Sequence, residues 1–388
     1  MYQIKIYNKI SPVGLDRFES ERYAVGSDVT DEDGIVVRSA PLLDMEFSKS
    51  LLAIARAGVG VNNIPIDRCS QAGIAVFNTP GANANAVKEL VLCALLMASR
   101  DVDGSIQWVR QQVEAGTDIT TVVEKGKSAF VGPELYRKSL GIIGLGAIGS
   151  LVANMAIALG MDVYGYDPFL SVDAALRLDR HIRVVKDINE LYKRSDYITV
   201  HIHYTAKTEH MIDAKAIAAM KRGVRFINLA RGEIVDDDAM LAALDTGWVA
   251  AYITDFPNNR LVGAPHVIAM PHLGASTPES EQNCAVMAVD ELKDYLENGN
   301  IRNSVNMPAV SQERSGVCRL CILHRNVPAM LANITALLSR DGVNVENMSN
   351  KSRGDYAYTI VDLGSQIDGA VIQDVKNLEN VIRVRFIA

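Results

Sequence analysis

The chain has 388 residues, of which 48% are hydrophobic and 22% charged, with a formal net charge of −7. This length favours two or three domains, and the composition is typical of a soluble globular protein. The acidic balance argues against nucleic-acid binding or anionic membranes, and no apolar run is long enough to span a bilayer. The first residues, "MYQIKIYNKI", alternate like a strand and lack a secretory pattern. Together with the five cysteines, this indicates a reduced, cytoplasmic protein.

Residues 1–85 alternate short apolar strands with amphipathic segments. Strands that run into loops are predicted at 34–40, 51–58 and 73–80. A long helix is predicted next, from Ala86 to Val113. Because its first half is apolar nearly all round, we expect that half to be buried.

The middle of the chain alternates strands and helices regularly. Residues 140–168 predict a strand, a glycine turn, an alanine-rich helix and a second strand ending at Asp167. The following segments extend this alternation, with strands at 197–203, 224–232 and 249–256, and helices at 214–220, 236–244 and 279–298. Such spacing predicts a parallel sheet covered by helices on both faces.

The last part of the chain, residues 317–388, changes to a βαββαβ order. That order predicts a small ferredoxin-like α+β domain. Its first strand carries Cys318 and Cys321, whose odd offset places them on opposite faces of the strand. We therefore interpret them as small buried side chains and expect no metal site.

Gly144, Gly146 and Gly149 form the pattern G-x-G-x-x-G between an apolar strand and a helix. The first glycine permits a tight turn, the second lets the backbone approach a pyrophosphate, and the third packs helix on strand. Asp167 follows 18 residues after Gly149, at the end of the next strand. A carboxylate there accepts ribose hydroxyls and repels a 2′-phosphate, so the pattern predicts NAD over NADP. The alternative, a purely structural turn, is disfavoured by this context.

Five motifs match one family in order and spacing. The segments "LGIIGLGAIG", "YDP", "VHIHYTAKTEHMI", "INLARGEIVDDDAM" and "PHLGAST" resemble the D-isomer-specific 2-hydroxyacid dehydrogenases. The resemblance implies an α/β fold of two Rossmann-like or flavodoxin-like parallel-sheet lobes with substrate between them, plus a C-terminal ferredoxin-like ACT regulatory domain. It implies the following division: a substrate-binding domain of residues 1–86 and 274–303, an NAD-binding domain of residues 87–273, a linker of residues 304–316 and an ACT domain of residues 317–388.

Two residues are expected to perform the chemistry. Arg231 follows the strand "RFINLA", where loop residues of an α/β sheet meet ligands, and its planar fork suits a carboxylate. By the resemblance, Arg231 clamps the substrate carboxylate and His272 exchanges the hydroxyl proton. The resemblance also implies NAD contacts from Val59, Gly144, Gly146, Ala147, Ile148, Gly149, Asp167, His201, Ile202, Leu229, Asp255 and Gly274.

A departure from the family pattern concerns the residue expected behind His272. A glutamate five residues after the aspartate that matches Asp255 usually hydrogen-bonds the histidine, and here Arg260 stands in its place. A carboxylate behind an imidazole fixes its tautomer and raises its basicity. Three outcomes stay open: a weaker base, a carboxylate from elsewhere in the fold, or an inactive site. Because Arg231, His272 and the glycine pattern are all present, we favour a working enzyme.

Within the family, "VVRSA", "IARAGVGVNN", "NTPGANANAVKEL" and the C-terminal domain resemble members that oxidise 3-phosphoglycerate in the first step of serine biosynthesis. The residues expected to bind this substrate are Arg38, Ser39, Arg56 and Asn83, with the arginines suited to a phosphate. Two alternatives are another 2-hydroxyacid dehydrogenase, such as a glyoxylate or hydroxypyruvate reductase, and a non-catalytic NAD-dependent sensor.

The C-terminal domain raises a regulatory question. By the resemblance, His324, Asn326 and Asn344 match residues that hold serine across a dimer interface. Ala329, however, replaces a glycine that would allow close backbone approach. Dimerisation through sheet edges is the simpler role for this domain, and a homodimer or homotetramer is expected.

Overall fold

The computed structural model describes the backbone of all 388 residues and every side chain except that of Asp173. The chain divides into two compact units. The first combines Met1–Asn83 with Pro278–Ala388, and the second is Ala84–Thr277. No helix among the described residues is long and apolar enough to cross a membrane.

The strands, in chain order, are β1 Tyr2–Tyr7, β2 Tyr23–Gly26, β3 Gly34–Val37, β4 Ala53–Arg56, β5 Ala75–Phe77, β6 Ser139–Ile143, β7 Asp162–Tyr166, β8 Arg183–Val184, β9 Tyr197–Val200, β10 Val224–Asn228, β11 Val249–Thr254, β12 Val267–Ala269, β13 Cys318–Arg325, β14 Val345–Arg353, β15 Tyr356–Leu363 and β16 Val381–Ile387. The α-helices are α1 Pro12–Leu15, α2 Ile66–Gln71, α3 Ala84–Ser99, α4 Val102–Glu114, α5 Ile119–Gly126, α6 Ala147–Ala158, α7 Val172–Ala175, α8 Ile188–Arg194, α9 Ala214–Ala219, α10 Asp237–Asp245, α11 Pro278–Asn298, α12 Met330–Arg340 and α13 Gly369–Asn377.

Two parallel sheets confirm the predicted α/β class. In the first unit the strand order is β2-β1-β3-β4-β5, the flavodoxin-like arrangement. In the second unit the order is β8-β7-β6-β9-β10-β11-β12, the Rossmann arrangement. The central strands β3, β6 and β9 are buried at every residue. Continuous apolar runs therefore form them, because helices cover both faces of a parallel sheet.

The predicted helix from Ala86 to Val113 was wrong in its extent. The chain forms two helices, α3 and α4, which are separated at Arg100 and Asp101. The Asp101 side chain accepts a hydrogen bond from the Gly104 backbone N–H and so caps α4. The first half is buried only in part, since Cys93 and Leu96 of α3 are exposed, and α4 has no buried residue.

The C-terminal βαββαβ domain has the antiparallel order β14-β15-β13-β16. One face of its sheet packs on α12 and α13, with Cys318 in that core. The other face, which carries Cys321 and Tyr358, joins the core of the first parallel sheet and α11. The two cysteines thus lie buried on opposite faces, as their spacing predicted. All five cysteines are free.

Three arginines of this docked face satisfy backbone carbonyls elsewhere in the first unit. Arg385 donates to the carbonyls of Tyr295 and Leu296 near the end of α11, at 2.8 and 2.7 Å. Arg383 donates to the carbonyls of Leu51 and Ala72. The third arginine, Arg319, is fully buried and pairs with Asp362. These bonds tie the C-terminal sheet to carbonyls near the ends of α11 and α2 and in the loop before β4.

Candidate active site

The site forms at the carboxyl edge of the seven-stranded sheet. Strand order reverses between β6 and β9, and ligands of open α/β sheets bind at such a switch point. The glycine turn follows β6 and His201 follows β9. Gly144 has φ of +93°, and a Cβ added there would lie 2.5 Å from the His201 carbonyl oxygen. Only glycine fits this approach of two strand ends.

The next turn leaves open space beside Gly146 at the start of α6. Gly146 is the N-cap of α6 and offers no side-chain hydrogen bond to the first-turn N–H groups. A Cβ added at Gly146 would meet no atom within 4 Å, whereas one at Gly149 would lie 1.9 Å from the Gly144 carbonyl oxygen. Open space before a helix N-terminus with uncapped donors suits a pyrophosphate. Ala147 begins this helix, and Ile148 packs on the core beneath it.

Asp167 stands directly after β7, beside the glycine turn. Its Oδ2 accepts a hydrogen bond from the Leu145 N–H and its Oδ1 accepts one from the Phe169 N–H, both at 2.9 Å. These bonds fix the carboxylate at the strand end. Each oxygen keeps a further lone pair that can accept a ribose hydroxyl.

Two buried polar atoms at the same edge have no hydrogen-bond partner among the described residues. They are Nδ1 of His201 and Oδ1 of Asp255. The other His201 nitrogen lies 3.0 Å from the Thr199 hydroxyl, and burial lowers the pKa of His201 to about 3. Burial raises the pKa of Asp255, although the Gly274 N–H donates to its Oδ2 at 3.0 Å. Buried polar atoms are rarely left unpaired, so these two fit the polar groups of a bound NAD.

The remaining cofactor candidates of this unit are two aliphatic residues and a glycine. Leu229 is buried after β10, and Ile202 is partly buried after β9. Gly274 is buried against Val87 and Asp255. The described residues contain no cluster of histidine, cysteine or carboxylate groups that could hold a metal ion.

Arg231 is half-buried in the turn that follows β10. Its Nη1 donates to the Ala230 carbonyl at 2.6 Å. Asn228, which is fully buried, holds this turn by donating to the Arg231 carbonyl at 2.8 Å and accepting from the Ala230 N–H. The guanidinium lies over the Phe256 ring, with Cζ 5.9 Å from the ring centroid. Its other N–H groups can bind a carboxylate.

His272 lies on the loop after β12 and its side chain is exposed. The imidazole packs against the same Phe256 ring, with centroids 4.7 Å apart and planes tilted by 47°. The structure therefore brings Arg231 and His272 together around one aromatic ring. Within the unit 84–277, the described side chains place no carboxylate in hydrogen-bond contact with the imidazole. Asp255 holds the loop instead, through its hydrogen bond to the Gly274 N–H.

Arg260 is not behind His272. It forms an exposed ion pair with Asp238 on α10, which lowers the pKa of that carboxyl. The arginine thus anchors its own loop to a neighbouring helix.

The other candidates lie in the first unit. Arg38 pairs with Glu281 in the first turn of α11 at 2.8 Å, and its carbonyl accepts a hydrogen bond from Arg56 Nε at 3.1 Å. The Ser39 N–H donates to Asn8. The Val59 carbonyl accepts from Asn78 at 2.6 Å, and Asn83 has a buried Oδ1 with no described partner.

The structure does not bring the three effector candidates together within one chain. His324 is buried, and its ring nitrogens lie 2.8 Å from the Arg325 carbonyl and 3.0 Å from the Thr359 hydroxyl. Asn326 adjoins Asp355, while Asn344 adjoins Gly364, so they lie at opposite ends of β15. Ala329 adopts a left-handed backbone, with φ of +66°, at the start of α12. Ala329 thus adopts a backbone conformation that favours glycine.

Sequence reasoning missed Asn228 and Phe256. A fully buried asparagine ending the otherwise apolar strand "VRFIN" was a signal for the first. An aromatic residue directly after Asp255 was the only signal for the second, because its contact with His272 spans sixteen positions of the sequence.

Comparisons with known proteins agree with this geometry. Residues 92–274 match the family described as "D-isomer specific 2-hydroxyacid dehydrogenase, NAD binding domain". A D-3-phosphoglycerate dehydrogenase of Haemophilus influenzae is 31% identical over 353 residues, covering 88% of this chain and 82% of the relative. The chain belongs to the D-isomer-specific 2-hydroxyacid dehydrogenase family.

Other members of the family differ in length. A D-3-phosphoglycerate dehydrogenase of Methanocaldococcus jannaschii is 35% identical over 81% of this chain, which spans 59% of that relative. For two further relatives, from Bacillus subtilis and Synechocystis, the chain spans 60% and 50% of their length. Among solved structures, NAD+-bound 3-phosphoglycerate dehydrogenase of Entamoeba histolytica has a TM-score of 0.61 and 26% identity, covering 79% of this chain and 98% of that one.

Proposed function

We propose that this protein catalyses the NAD-dependent oxidation of D-3-phosphoglycerate to 3-phosphohydroxypyruvate, the first step of serine biosynthesis. The observation that carries the proposal is the placement of Arg231 and His272 around one ring at the carboxyl edge of an NAD-binding sheet. The names of relatives that match most of the chain support the choice of substrate.

In this proposal, the Arg231 guanidinium binds the substrate carboxylate through two parallel N–H donors. His272 accepts the hydroxyl proton as the C2–H bond breaks, and it returns that proton in the reverse reaction. NAD+, when bound, supplies the acceptor for the hydride. The backbone donors at Gly146 and α6, the Asp167 carboxylate, His201 and Asp255 hold it.

The substrate phosphate is assigned to Arg38, with Ser39, Arg56 and Asn83 as further substrate-binding residues. Arg38 pairs with Glu281, and both side chains are substantially exposed. An exposed pair of this kind contributes about 0–1 kcal/mol, so a dianionic phosphate can replace the carboxylate at low cost.

The proposal also includes homo-oligomerisation in the cytoplasm. Strand β14 has a hydrogen-bonded neighbour on one side only, which leaves a sheet edge to which a second copy can add. Helix α4 offers a second surface for association, because it exposes the apolar side chains of Ile106, Val109 and Val113.

The decisive experiment follows NADH absorbance after adding 3-phosphohydroxypyruvate to the purified full chain. We expect rapid loss of NADH, and much slower loss with hydroxypyruvate or glyoxylate. Equal rates with the unphosphorylated acids would instead support a glyoxylate or hydroxypyruvate reductase. NADH binding without turnover would support a sensor. In the matched variant His272→Gln, NADH should still bind while turnover falls by about 10²–10⁴-fold.

A further inference from the structure

One aromatic ring contacts both side chains to which the proposed function assigns the chemistry. Phe256 is partly buried and follows Asp255 at the end of β11. The Arg231 Cζ lies 5.9 Å from its centroid and the His272 ring centroid 4.7 Å from it. Both distances fall within the ranges of cation–π and aromatic pairing.

Within its unit, the His272 imidazole has two neighbours that act on it, the Phe256 ring by packing and the Asp255 carboxylate by electrostatic attraction. The side chain is exposed, and the described residues of 84–277 offer neither ring nitrogen a hydrogen bond. An exposed side chain of this kind exchanges between rotamers on the picosecond to nanosecond scale. The Asp255 attraction is not a directed hydrogen bond, so packing against Phe256 is the contact that restricts the orientation of the ring.

Phe256 is itself held firmly. Its backbone N–H donates to the Thr254 hydroxyl at 3.1 Å. On the other side, a Cβ added to Gly232 would lie 3.3 Å from the Phe256 Cβ, so the turn after Arg231 passes close to the ring. The preceding residue, Asp255, binds the Gly274 N–H and fixes the loop that carries His272. The ring thus belongs to the rigid end of a strand.

We propose that Phe256 is a positioning residue that sets the distance between the Arg231 guanidinium and the His272 imidazole. The inference rests on the proposed function, because it assigns Phe256 a role in that reaction. A substrate pinned by its carboxylate presents its hydroxyl at one place, and the base must be held there. Misplacement by about 1 Å can cost about a hundredfold in rate.

The experiment compares Phe256→Ala, Phe256→Leu and Phe256→Tyr in the full chain. We expect kcat with 3-phosphohydroxypyruvate to fall about 10–100-fold in the alanine variant. Leucine, which restores bulk without an aromatic face, should recover only part of this loss, and tyrosine most of it. The NADH dissociation constant should stay within about twofold, because the bond between the Asp255 carboxylate and the Gly274 N–H does not involve the Phe256 side chain.

Phe47→Leu is the matched control. Phe47 lies in the first unit, and the Arg68 Cζ is 5.7 Å from the centroid of its ring. The Phe47→Leu variant loses a similar cation–π pair, and its kcat should equal that of the parent. If Phe256→Leu also keeps the parental kcat, the positioning role is wrong.

A second measurement separates this inference from the proposed function. The His272 Cε1–H resonance, assigned by its loss in His272→Gln, should carry a ring-current shift in the parent that disappears in Phe256→Leu and persists in Phe47→Leu. An inactive parent that shows this shift would refute the proposed function while leaving the packing intact. An active parent whose His272 resonance does not respond to Phe256→Leu would refute the positioning role alone.

Discussion

Arg319 and Arg231 use the N–H donors of their guanidinium groups in opposite ways. Arg319 is fully buried and forms five hydrogen bonds, to both carboxylate oxygens of Asp362 and to three backbone carbonyls. Arg231 is half-buried, donates to the Ala230 carbonyl and rests on an aromatic ring. Each guanidinium has five N–H donors. A saturated guanidinium has nothing left for a ligand, whereas Arg231 keeps donors for one.

The carboxylates near these two arginines, Asp362 and Asp255, show the same difference. Burial alone would raise the pKa of Asp362, but the bonds from Arg319 and Gln312 lower it overall. Asp255 lacks a cationic side chain in hydrogen-bond contact, so burial raises its pKa. One carboxylate completes an internal network, and the other keeps an unpaired oxygen at the edge where a cofactor fits.

The largest expected effect comes from Arg231→Met. Losing a charged clamp on a carboxylate costs about 2–5 kcal/mol, so kcat/KM should fall about a thousandfold. The melting temperature should change little, because Arg231 makes few internal bonds. Steady-state kinetics and thermal unfolding of the same preparation measure both. Arg231→Lys keeps the charge without the planar fork and should recover little activity. Full activity in the lysine variant would contradict a bidentate clamp.

The same substitution at the other arginine should give the reverse pattern. Arg319→Met leaves Asp362 buried without its counter-ion, which costs about 3–5 kcal/mol of stability. We expect a lower urea midpoint with nearly parental kcat at low temperature. Pairing it with Asp362→Leu removes the orphaned charge and should restore much of the loss. If the single variant unfolds like the parent, the docked face of the C-terminal domain is not held by this network.

Parts of the molecule also differ in how far the sequence predicts them. The parallel sheets follow from continuous apolar runs such as "GIVV", since strands covered on both faces need no alternation. The glycine turn and Asp167 are local in sequence, so their geometry was predictable. The edge strand β2 was missed because one of its residues is exposed and its pattern is weak.

What the sequence could not show is which distant side chains meet. Asp362 lies 43 residues from Arg319, and no local pattern connects them. The sequence left open whether a carboxylate from elsewhere would stand beside His272, and it could not show that Phe256 packs against the imidazole. The break between α3 and α4 depended on whether Asp101 would cap a new helix or continue the old one. Tertiary packing decides each of these choices.

The smallest expected effect concerns Glu291, which has fewer hydrogen bonds than Asp362 and, like Asp255, keeps one oxygen without a partner. This buried residue of α11 accepts a hydrogen bond from Asn303 at 2.6 Å through Oε1, while its Oε2 has no partner among the described atoms. Burial raises its pKa from 4.5 to about 8. The folded state therefore binds a proton that the unfolded state releases, and stability falls as pH rises from about 4.5 to about 8.

Glu291→Gln should abolish this part of the pH dependence. The amide is neutral at every pH and can still accept from Asn303 through its oxygen. We expect the variant to melt several degrees above the parent at pH 8.5 and close to it at pH 5, as calorimetry would show. Glu279→Gln, on an exposed position of the same helix, controls for the loss of one charge. Since the parent and Glu291→Gln share every other titrating group, the difference between their two curves of melting temperature against pH isolates Glu291. A constant difference across this pH range would mean that the carboxyl is ionised in the folded protein, and that Asn303 alone compensates its burial.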